Sequence, residues 1–360
     1  MSTAPARTTL DVLDTDAVTA AIRARVLAAL PVGGPDAELA RFARLQRDYP
    51  SREGKTLRGR VVVLSAAAHG ASDLDAVLTV AAALELFQAW VLVHDDIEDG
   101  SEERRGAPAL HRLVGVPVAL NVGDAMHVQM WRLLHGLLDR RTASDAAGAV
   151  TAAVVARVLE EFGSMVARTA AGQHLDLAWV AAGRFDVTED EYLRMVTLKT
   201  AWYTVASPLR MGALLAGREP APALERAGLD LGAAFQVRDD VLNLAEGSAA
   251  AGYGKEALGD LYEAKRTLIL AHLLRSAPPA TRDEVVSTLA RPREERRPED
   301  VRRVLAHMRA HGSLAYAQAA ARRLADSGLA ALGEALGQAP DRGAAAALTA
   351  ALAEVAERER

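Results

Sequence analysis

Val93-His94-Asp95-Asp96-Ile97-Glu98-Asp99-Gly100-Ser101-Glu102-Glu103-Arg104-Arg105-Gly106 is the stretch from which the fold can be read. It holds six acids in the nine residues from Asp95 to Glu103, and it follows an apolar run that begins near Ala76 and carries Glu85 as its only charge before Asp95. Such a run has the character of a buried helix, with its acids gathered at one end and Gly100 as a natural stop. Asp95 and Asp99 lie four apart and share one helix face. That placement is unfavourable by itself. A helix C-terminus carries partial negative charge and like charges at this spacing repel, each effect costing a few tenths of a kcal/mol to ~1 kcal/mol. Two or more Mg²⁺ ions, which take oxygen ligands and keep positions open for water and phosphate oxygens, would resolve the conflict. Arg104 and Arg105 then offer fork-shaped donors to the same phosphates.

The remainder of the chain also reads as helical. Ala and Leu dominate, aromatics are 4% of the 360 residues, and β-branched residues rarely cluster beyond Val61-Val62-Val63, so strand patterns of period two are scarce. Helices are predicted over Thr15–Leu30, from about Asp36, and over Val61–His69, Asp73–Asp99, Pro117–Arg140, Ser144–Trp179, Thr188–Ala216, Ala221–Glu246 and Leu258–Leu274. Several more follow, broken at Ala277-Pro278-Pro279 and at the charged stretch Arg291 to Asp300. Glu53 to Arg60 reads as a basic loop, and Gly247 to Gly254 as a small-residue flap. Residues 1–12 are expected to be loose. With no linker and no repeat period, residues 13–360 are expected to form a single large all-α bundle around a central cavity, whose inward side chains build any site.

Composition narrows the function. A net charge of −5 offers no general attraction to nucleic acid. The absence of cysteine removes disulfides, thiolate catalysis and Cys-ligated metals together. The N-terminus has no apolar segment of the secretory kind, and Glu85 divides the longest apolar run, so a cytoplasmic protein without a transmembrane segment is expected. His94 is a poor zinc ligand, because a metalloprotease pattern needs a second histidine four residues on and position 98 is Glu.

A second acidic pair lies far downstream in Phe235-Gln236-Val237-Arg238-Asp239-Asp240-Val241-Leu242-Asn243, again with an oxygen ligand four residues after the leading Asp. Two such clusters on facing helices could grip a diphosphate through bridging metals. Either motif alone would equally suit a solvated acidic face; the pair weakens that alternative. Lys55, Arg58, Lys199, Lys255 and Lys265-Arg266 supply the positive charge that two diphosphates would demand, although a surface cation is the commoner fate of any one of them.

In these residues the chain resembles the trans-isoprenyl diphosphate synthases, the polyprenyl synthetase family. The likeness runs from about Glu53 to Ser313: DDxxDxxxxRRG at Asp95 to Gly106, then Asn121-Val122-Gly123-Asp124, Gly172-Gln173 with Asp176, Lys199-Thr200, FQxxDD at Phe235 to Asp240, and Gly259-Asp260 before Lys265. The resemblance implies the isoprenoid synthase fold, a homodimer, and condensation of isopentenyl diphosphate with an allylic diphosphate. It makes Asp95, Asp99 and Asp239 the main ligands of Mg²⁺, three ions in all with Mn²⁺ able to substitute, and Asp96 a supporting ligand. Lys55, Arg58, Gln88 and Arg105 match the isopentenyl diphosphate site; Arg104, Lys199, Lys255 and Lys265 match the allylic diphosphate site. Thr200 and Gln236 match groups near the developing carbocation.

The chain departs from the family pattern at three places. Asn243 stands where many relatives carry a third Asp, Thr56 and Gly59 where Arg and Pro are frequent, and Gln88 where many have His. Product length in the family is limited just upstream of the first motif, here Trp90 and Val91. In an ideal helix Val91 lies below Asp95 while Trp90 is rotated away, so Trp90 is either the cavity floor, favouring C15 or C20 products, or ordinary core. Met126, His127 and Met130 read as cavity wall or core. Two rivals stand beside the synthase: a class I terpene cyclase, which would replace the second DDxxD and need no Lys55/Arg58 site, and a non-catalytic partner subunit, for which Asn243 is the best support.

Overall fold

The structure, a computed structural model, describes residues 12–52, 54–139, 150–244 and 256–357. In order come α1 (Thr15–Ala29), α2 (Ala37–Ser51), α3 (Leu57–Ala68), α4 (Leu74–Asp99), the short strands β1 (Glu103–Arg104) and β2 (Ala107–Pro108), α5 (Leu110–Val114), α6 (Val116–Asp139) and α7 (Ala152–Ala181). They are followed by α8 (Glu189–Val196), a π-helix (Thr197–Ala206), α9 (Ser207–Leu215), α10 (Pro222–Asn243), α11 (Gly259–Tyr262), α12 (Leu268–Ser276), α13 (Pro279–Leu289), a 3₁₀ turn (Arg293–Glu295), α14 (Pro298–Ala310), α15 (Ser313–Leu336) and α16 (Arg342–Glu357). Local chemistry sets many of the starts: Asp14, Asp36 and Asp73 cap α1, α2 and α4, and Thr151, Thr188 and Thr267 cap α7, α8 and α12, each taking an otherwise orphaned N–H of the first turn.

The fold is all-α, and α4 is its central rod. Val80 to Leu84, Leu86 and Phe87 are wholly buried, packed by α1, α3 and α6. By length and composition α4 could cross a membrane, yet 67% of its most apolar window is covered by the rest of the chain. Gly100 ends the helix in the left-handed region, at φ +64°, as its position after the acids predicts.

Three local departures from the sequence reading bear on the site. The Arg104-Arg105-Gly106 segment is a tight hairpin, not helix or plain loop. Arg105 and Gly106 both have positive φ, +54° and +72°, the conformation that joins two strands with the right twist; strands of two residues are too short to leave a period in the sequence. The segment predicted as one helix over Thr188–Ala216 is α8, ten residues of π-helix and α9, and Pro208, having no N–H, cannot return a bond to the carbonyl of Thr204. The predicted helix Leu258–Leu274 is broken, with Ala264 at φ +53°, so Lys265 and Arg266 sit on a turn between α11 and α12. Conversely α3 begins at Leu57, four residues earlier than predicted, which places Arg58 in its first turn. The N-terminal residues 1–11, the flap Gly247 to Gly254, Lys255 and the predicted helix ends near 140, 144 and 246 lie outside the described residues.

Three glycines seat the π-helix. A Cβ on Gly172 of α7 would lie 2.1 Å from the backbone nitrogen of Lys199, and Cβ atoms on Gly228 and Gly232 of α10 would lie 2.3 and 2.5 Å from Ala206 and Ala201. Backbone cannot yield as a side-chain tip can. Gly172→Ala is therefore expected to displace the π-helix, costing about 1–3 kcal/mol of stability and shifting Lys199 out of place; thermal melting and substrate affinity together check this, and an unchanged melting temperature with unchanged affinity refutes it.

Candidate active site

The helices enclose a cavity of about 710 Å³. Asp95, Glu98 and Asp99 of α4 line it, as do Gln173 and Asp176 of α7, Lys199, Thr200 and Tyr203 of the π-helix, and Gln236, Asp239 and Asn243 of α10. Lys55, Arg58, Gln88, Trp90, Val91, Arg104, Arg105 and Lys265 complete the set of sequence-predicted site residues that reach it; Lys255 is not described. Residues widely separated in the chain thus meet around one space, at a volume suited to a small-molecule ligand.

Opposite charges are interleaved at its acidic end. The Lys199 ammonium donates to Asp176 Oδ2 at 2.7 Å and lies 3.4 Å from Asp95 Oδ1; Lys265 donates to the same Asp176 oxygen at 3.1 Å and to Asp99. Burial alone would raise the Asp176 pKa, but the two ammoniums outweigh it and bring the carboxyl down to about 2. Burial would likewise lower Lys199, and Asp176, Asp95 and Asp99 overcome it, so the lysine stays charged. Burial pushes Asp99 up, Lys265 opposes that, and Asp95 adds to it. Gln173 donates to Asp95 at 3.2 Å and to Glu98 at 2.6 Å. Asp176 is the residue whose role the sequence missed; its place in the Gly172-Gln173 motif was the available signal.

A second cationic group borders the same cavity. Arg58 is 6% exposed, stacks over the Tyr203 ring at 4.4 Å and donates to Thr204 at 3.1 Å, while its Nε has no partner. An orphaned donor on a buried guanidinium is costly, and an anion arriving in the cavity would satisfy it. Glu85 lies behind, accepting from the N–H of Gly59 at 2.9 Å, the start of α3 having no side-chain cap of its own. Arg105 donates to the carbonyls of Tyr49 and Arg52, at 3.2 and 3.3 Å, which fixes the hairpin turn against the end of α2.

Two residues of the acidic motifs are engaged within the protein. Asp96 does not reach the cavity: one residue past Asp95, it is turned about 100° around the helix, is wholly buried, and has both oxygens engaged by Tyr49 and Arg104. It holds Arg104. Asn243 does line the cavity, but its Oδ1 accepts the N–H of Asp260 at 3.0 Å and so anchors α11 to the end of α10. Its oxygen serves the backbone.

At the apolar end the Trp90 indole lies flat on His127, ring centroids 4.0 Å apart and 7° from parallel, with Phe87 edge-on at 5.5 Å. Trp131 donates its indole N–H to His127 Nε2 at 2.8 Å, and burial holds the imidazole pKa below its ordinary value, in keeping with a neutral acceptor. Met126 and Met130 are wholly buried core.

Among the described residues no three acids or histidines stand close enough to hold a metal by themselves. The donor set still fits Mg²⁺, which keeps several waters and is bound through one or two carboxylates plus substrate phosphates. Asp95, Asp99 and Asp239 are among the cavity-lining carboxylates that could do so.

The polyprenyl synthetase family matches residues 40–308. The chain is 35% identical over 238 residues to the short chain isoprenyl diphosphate synthase of Methanothermobacter thermautotrophicus, covering 66% of this chain and 68% of that one. It is 33% identical to the geranylgeranyl diphosphate synthase of Mycobacterium tuberculosis, over 80% and 77% of the two chains. The crystal structure of geranylgeranyl pyrophosphate synthase from Corynebacterium glutamicum, complexed with isoprenyl diphosphate and magnesium, is similar throughout: TM-score 0.82, 29% identity, 96% of this chain and 99% of that one. With its helices arranged around a cavity that gathers both acidic motifs and two sets of cations, this chain belongs to the polyprenyl synthetase family.

Proposed function

We propose that this chain is a prenyltransferase joining isopentenyl diphosphate to an allylic diphosphate of C5, C10 or C15, with an all-trans C15 or C20 diphosphate and free diphosphate as products. The observation that carries this is the gathering around one cavity of Lys199, Lys265 and Arg104 among the acids, of Arg58 and Arg105, and of Trp90 stacked on His127.

In this reading Asp95, Asp99 and Asp239 bind three Mg²⁺ ions, with Mn²⁺ able to substitute; when bound, these neutralise charge on the allylic diphosphate as it departs. Lys199, Lys265, Arg104 and Lys255 hold that diphosphate. The lysines now paired with Asp95, Asp99 and Asp176 would exchange part of those contacts for phosphate oxygens. Lys55, Arg58, Gln88 and Arg105 hold isopentenyl diphosphate with its double bond toward the allylic carbon. The C–O bond to the leaving group breaks, the isopentenyl double bond attacks the allylic cation, and the proton lost from the new adduct passes to the departing diphosphate. Thr200 donates to Gln236 Oε1 at 2.9 Å, so the two form one polar unit beside the cation. Catalysis is electrostatics and positioning within the cavity, with no nucleophilic side chain.

Asn243 accepts the Asp260 N–H, and the presence of Asp95, Asp99, Asp239 and the cations around one cavity argues against a non-catalytic partner subunit. A single unit spanning residues 13–360, cytoplasmic and homodimeric, completes the reading. The dimer is supported by the apolar side chains exposed along α5 and α6: Leu113, Val116, Val118, Leu120, Val128 and Leu138. The test is incubation with Mg²⁺, isopentenyl diphosphate and each allylic primer in turn, with products sized by mass spectrometry. Linear C15 or C20 diphosphate is expected. Cyclised hydrocarbon would make the chain a terpene cyclase, and no turnover by the pure protein would make it a partner subunit.

A further inference from the structure

The second acid of each motif shares one feature that neither motif's spacing reveals. Tyr49, 2% exposed on α2, donates its hydroxyl to Asp96 Oδ2 at 2.5 Å; Tyr192, 1% exposed on α8, donates its hydroxyl to Asp240 Oδ2 at 2.6 Å. In both cases the other carboxylate oxygen accepts from a cavity residue. Asp96 Oδ1 takes Arg104 Nε at 2.9 Å and also Nη2, leaving Nη1 uncommitted to Asp96. Asp240 Oδ1 takes Gln236 Nε2 at 2.8 Å, which turns the Gln236 carbonyl oxygen toward Thr200. Each tyrosine comes from a helix distant in sequence, and the Tyr49 oxygen is itself fixed by the N–H of Leu110 at 3.1 Å. Two unrelated parts of the chain therefore build the same relay, from buried hydroxyl to carboxylate to cavity donor.

We propose that Tyr49 and Tyr192 are positioning residues of the reaction: each holds one oxygen of the second carboxylate of its acidic motif, Asp96 outside the cavity and Asp240 at its wall, and through it orients Arg104 on one side and the Gln236–Thr200 pair on the other. This rests on the prenyltransferase reading and explains a division of labour within it. Adjacent acids on a helix could both turn toward a multivalent cation, since a carboxylate at a helix end has rotamer freedom; a buried hydroxyl bond removes that freedom and leaves the leading acid as the ligand. Phenylalanine in place of either tyrosine keeps the ring packing and deletes only the tether.

The test needs no turnover. The full chain is titrated calorimetrically with inorganic diphosphate at fixed Mg²⁺, and with Mg²⁺ at fixed inorganic diphosphate, with melting curves taken in the absence of both. Tyr49→Phe is expected to weaken diphosphate binding at least about threefold through Arg104, with Mg²⁺ half-saturation little moved, while Tyr192→Phe weakens Mg²⁺ half-saturation at least about threefold. Asp240→Asn, whose amide oxygen still accepts from Tyr192, should cost less than about threefold in Mg²⁺ half-saturation where Asp239→Asn costs about tenfold or more. Equal losses in Asp240→Asn and Asp239→Asn would overturn the proposal, because Asp240 would then be a ligand. So would two phenylalanine variants that bind like the parent and only melt lower, the result of a purely structural role. Should Tyr192→Phe fail to fold, the two asparagine variants and Tyr49→Phe still decide. A parent chain that takes up no diphosphate with Mg²⁺ defeats the underlying reading as well, and is told apart from the other outcomes by that parent result alone.

Discussion

Asp95→Ala is expected to lower turnover by roughly 10³-fold while leaving the helical content and melting temperature close to those of the parent. The magnitude follows from the metal charge that the carboxylate would hold: several kcal/mol of charge stabilisation on the leaving group, at about 1.4 kcal/mol per tenfold in rate. The small effect on stability follows from its neighbours. Asp95 is an electrostatic compromise in the protein without metal, 3.4 Å from Lys199 and 3.6 Å from Arg104 but one turn from Asp99 at the negative end of α4. Removing it forfeits the attraction of these cations and the hydrogen bond from Gln173, and relieves the repulsion from Asp99 and the helix end. Lys199 keeps Asp176 at 2.7 Å and Arg104 keeps Asp96, so neither cation is stranded. Circular dichroism and melting establish the fold, and turnover at saturating Mg²⁺ establishes the role. Near-parental turnover would end the assignment of Asp95 as a ligand, and a collapse of the melting temperature would show that the carboxylate holds the bundle together.

The same residue shows how far the sequence carried the reading. The long apolar run, the acids after it and Gly100 specify a buried helix with a charged end, because burial, helix periodicity and the left-handed cap are all local properties. The all-α class was legible for that reason, whereas the meeting of Asp95, Asp99, Asp239, Lys199 and Lys265 around one cavity was an implication of the family resemblance. Asp96 lies about 100° around the helix from Asp95, and its bonds to Tyr49 and Arg104 keep it out of the cavity lining. What supports Asp96 was not legible, since Tyr49 lies on another helix and carries no motif. Asn243 is a similar case. A neutral residue in an acidic motif reads as a weakened ligand until the Asp260 N–H is seen against it. The π-helix of Thr197 to Ala206 also escaped detection, because the glycines of neighbouring helices against which it packs closely lie far along the chain. Properties settled within one element were readable; those settled by a partner far along the chain were not.

The second large effect is expected at Trp90. An ideal helix turns this residue away from the face of Asp95, yet its indole borders the cavity, since a side chain of that breadth reaches around the helix and rests on His127. The stack is fixed from outside. Trp131 donates to His127, and Phe87 meets the indole edge-on, so the ring cannot swing aside to admit a longer chain without losing those contacts. A growing prenyl chain that extends from the acidic end into the apolar end would therefore stop against a braced wall. Trp90→Ala should open that wall and lengthen the main product by at least one C5 unit. The loss of packing should cost about 2–3 kcal/mol of stability, below the ~3–5 kcal/mol of a fully buried Trp→Ala, because one face of the ring already borders open space. Trp90→Phe, smaller but still able to stack on His127, should fall between the two. Mass spectrometry of products made from the C15 primer reads the result directly. An unchanged product distribution in a folded Trp90→Ala protein would remove the indole from the role and pass it to Val91, which borders the same cavity one turn before Asp95.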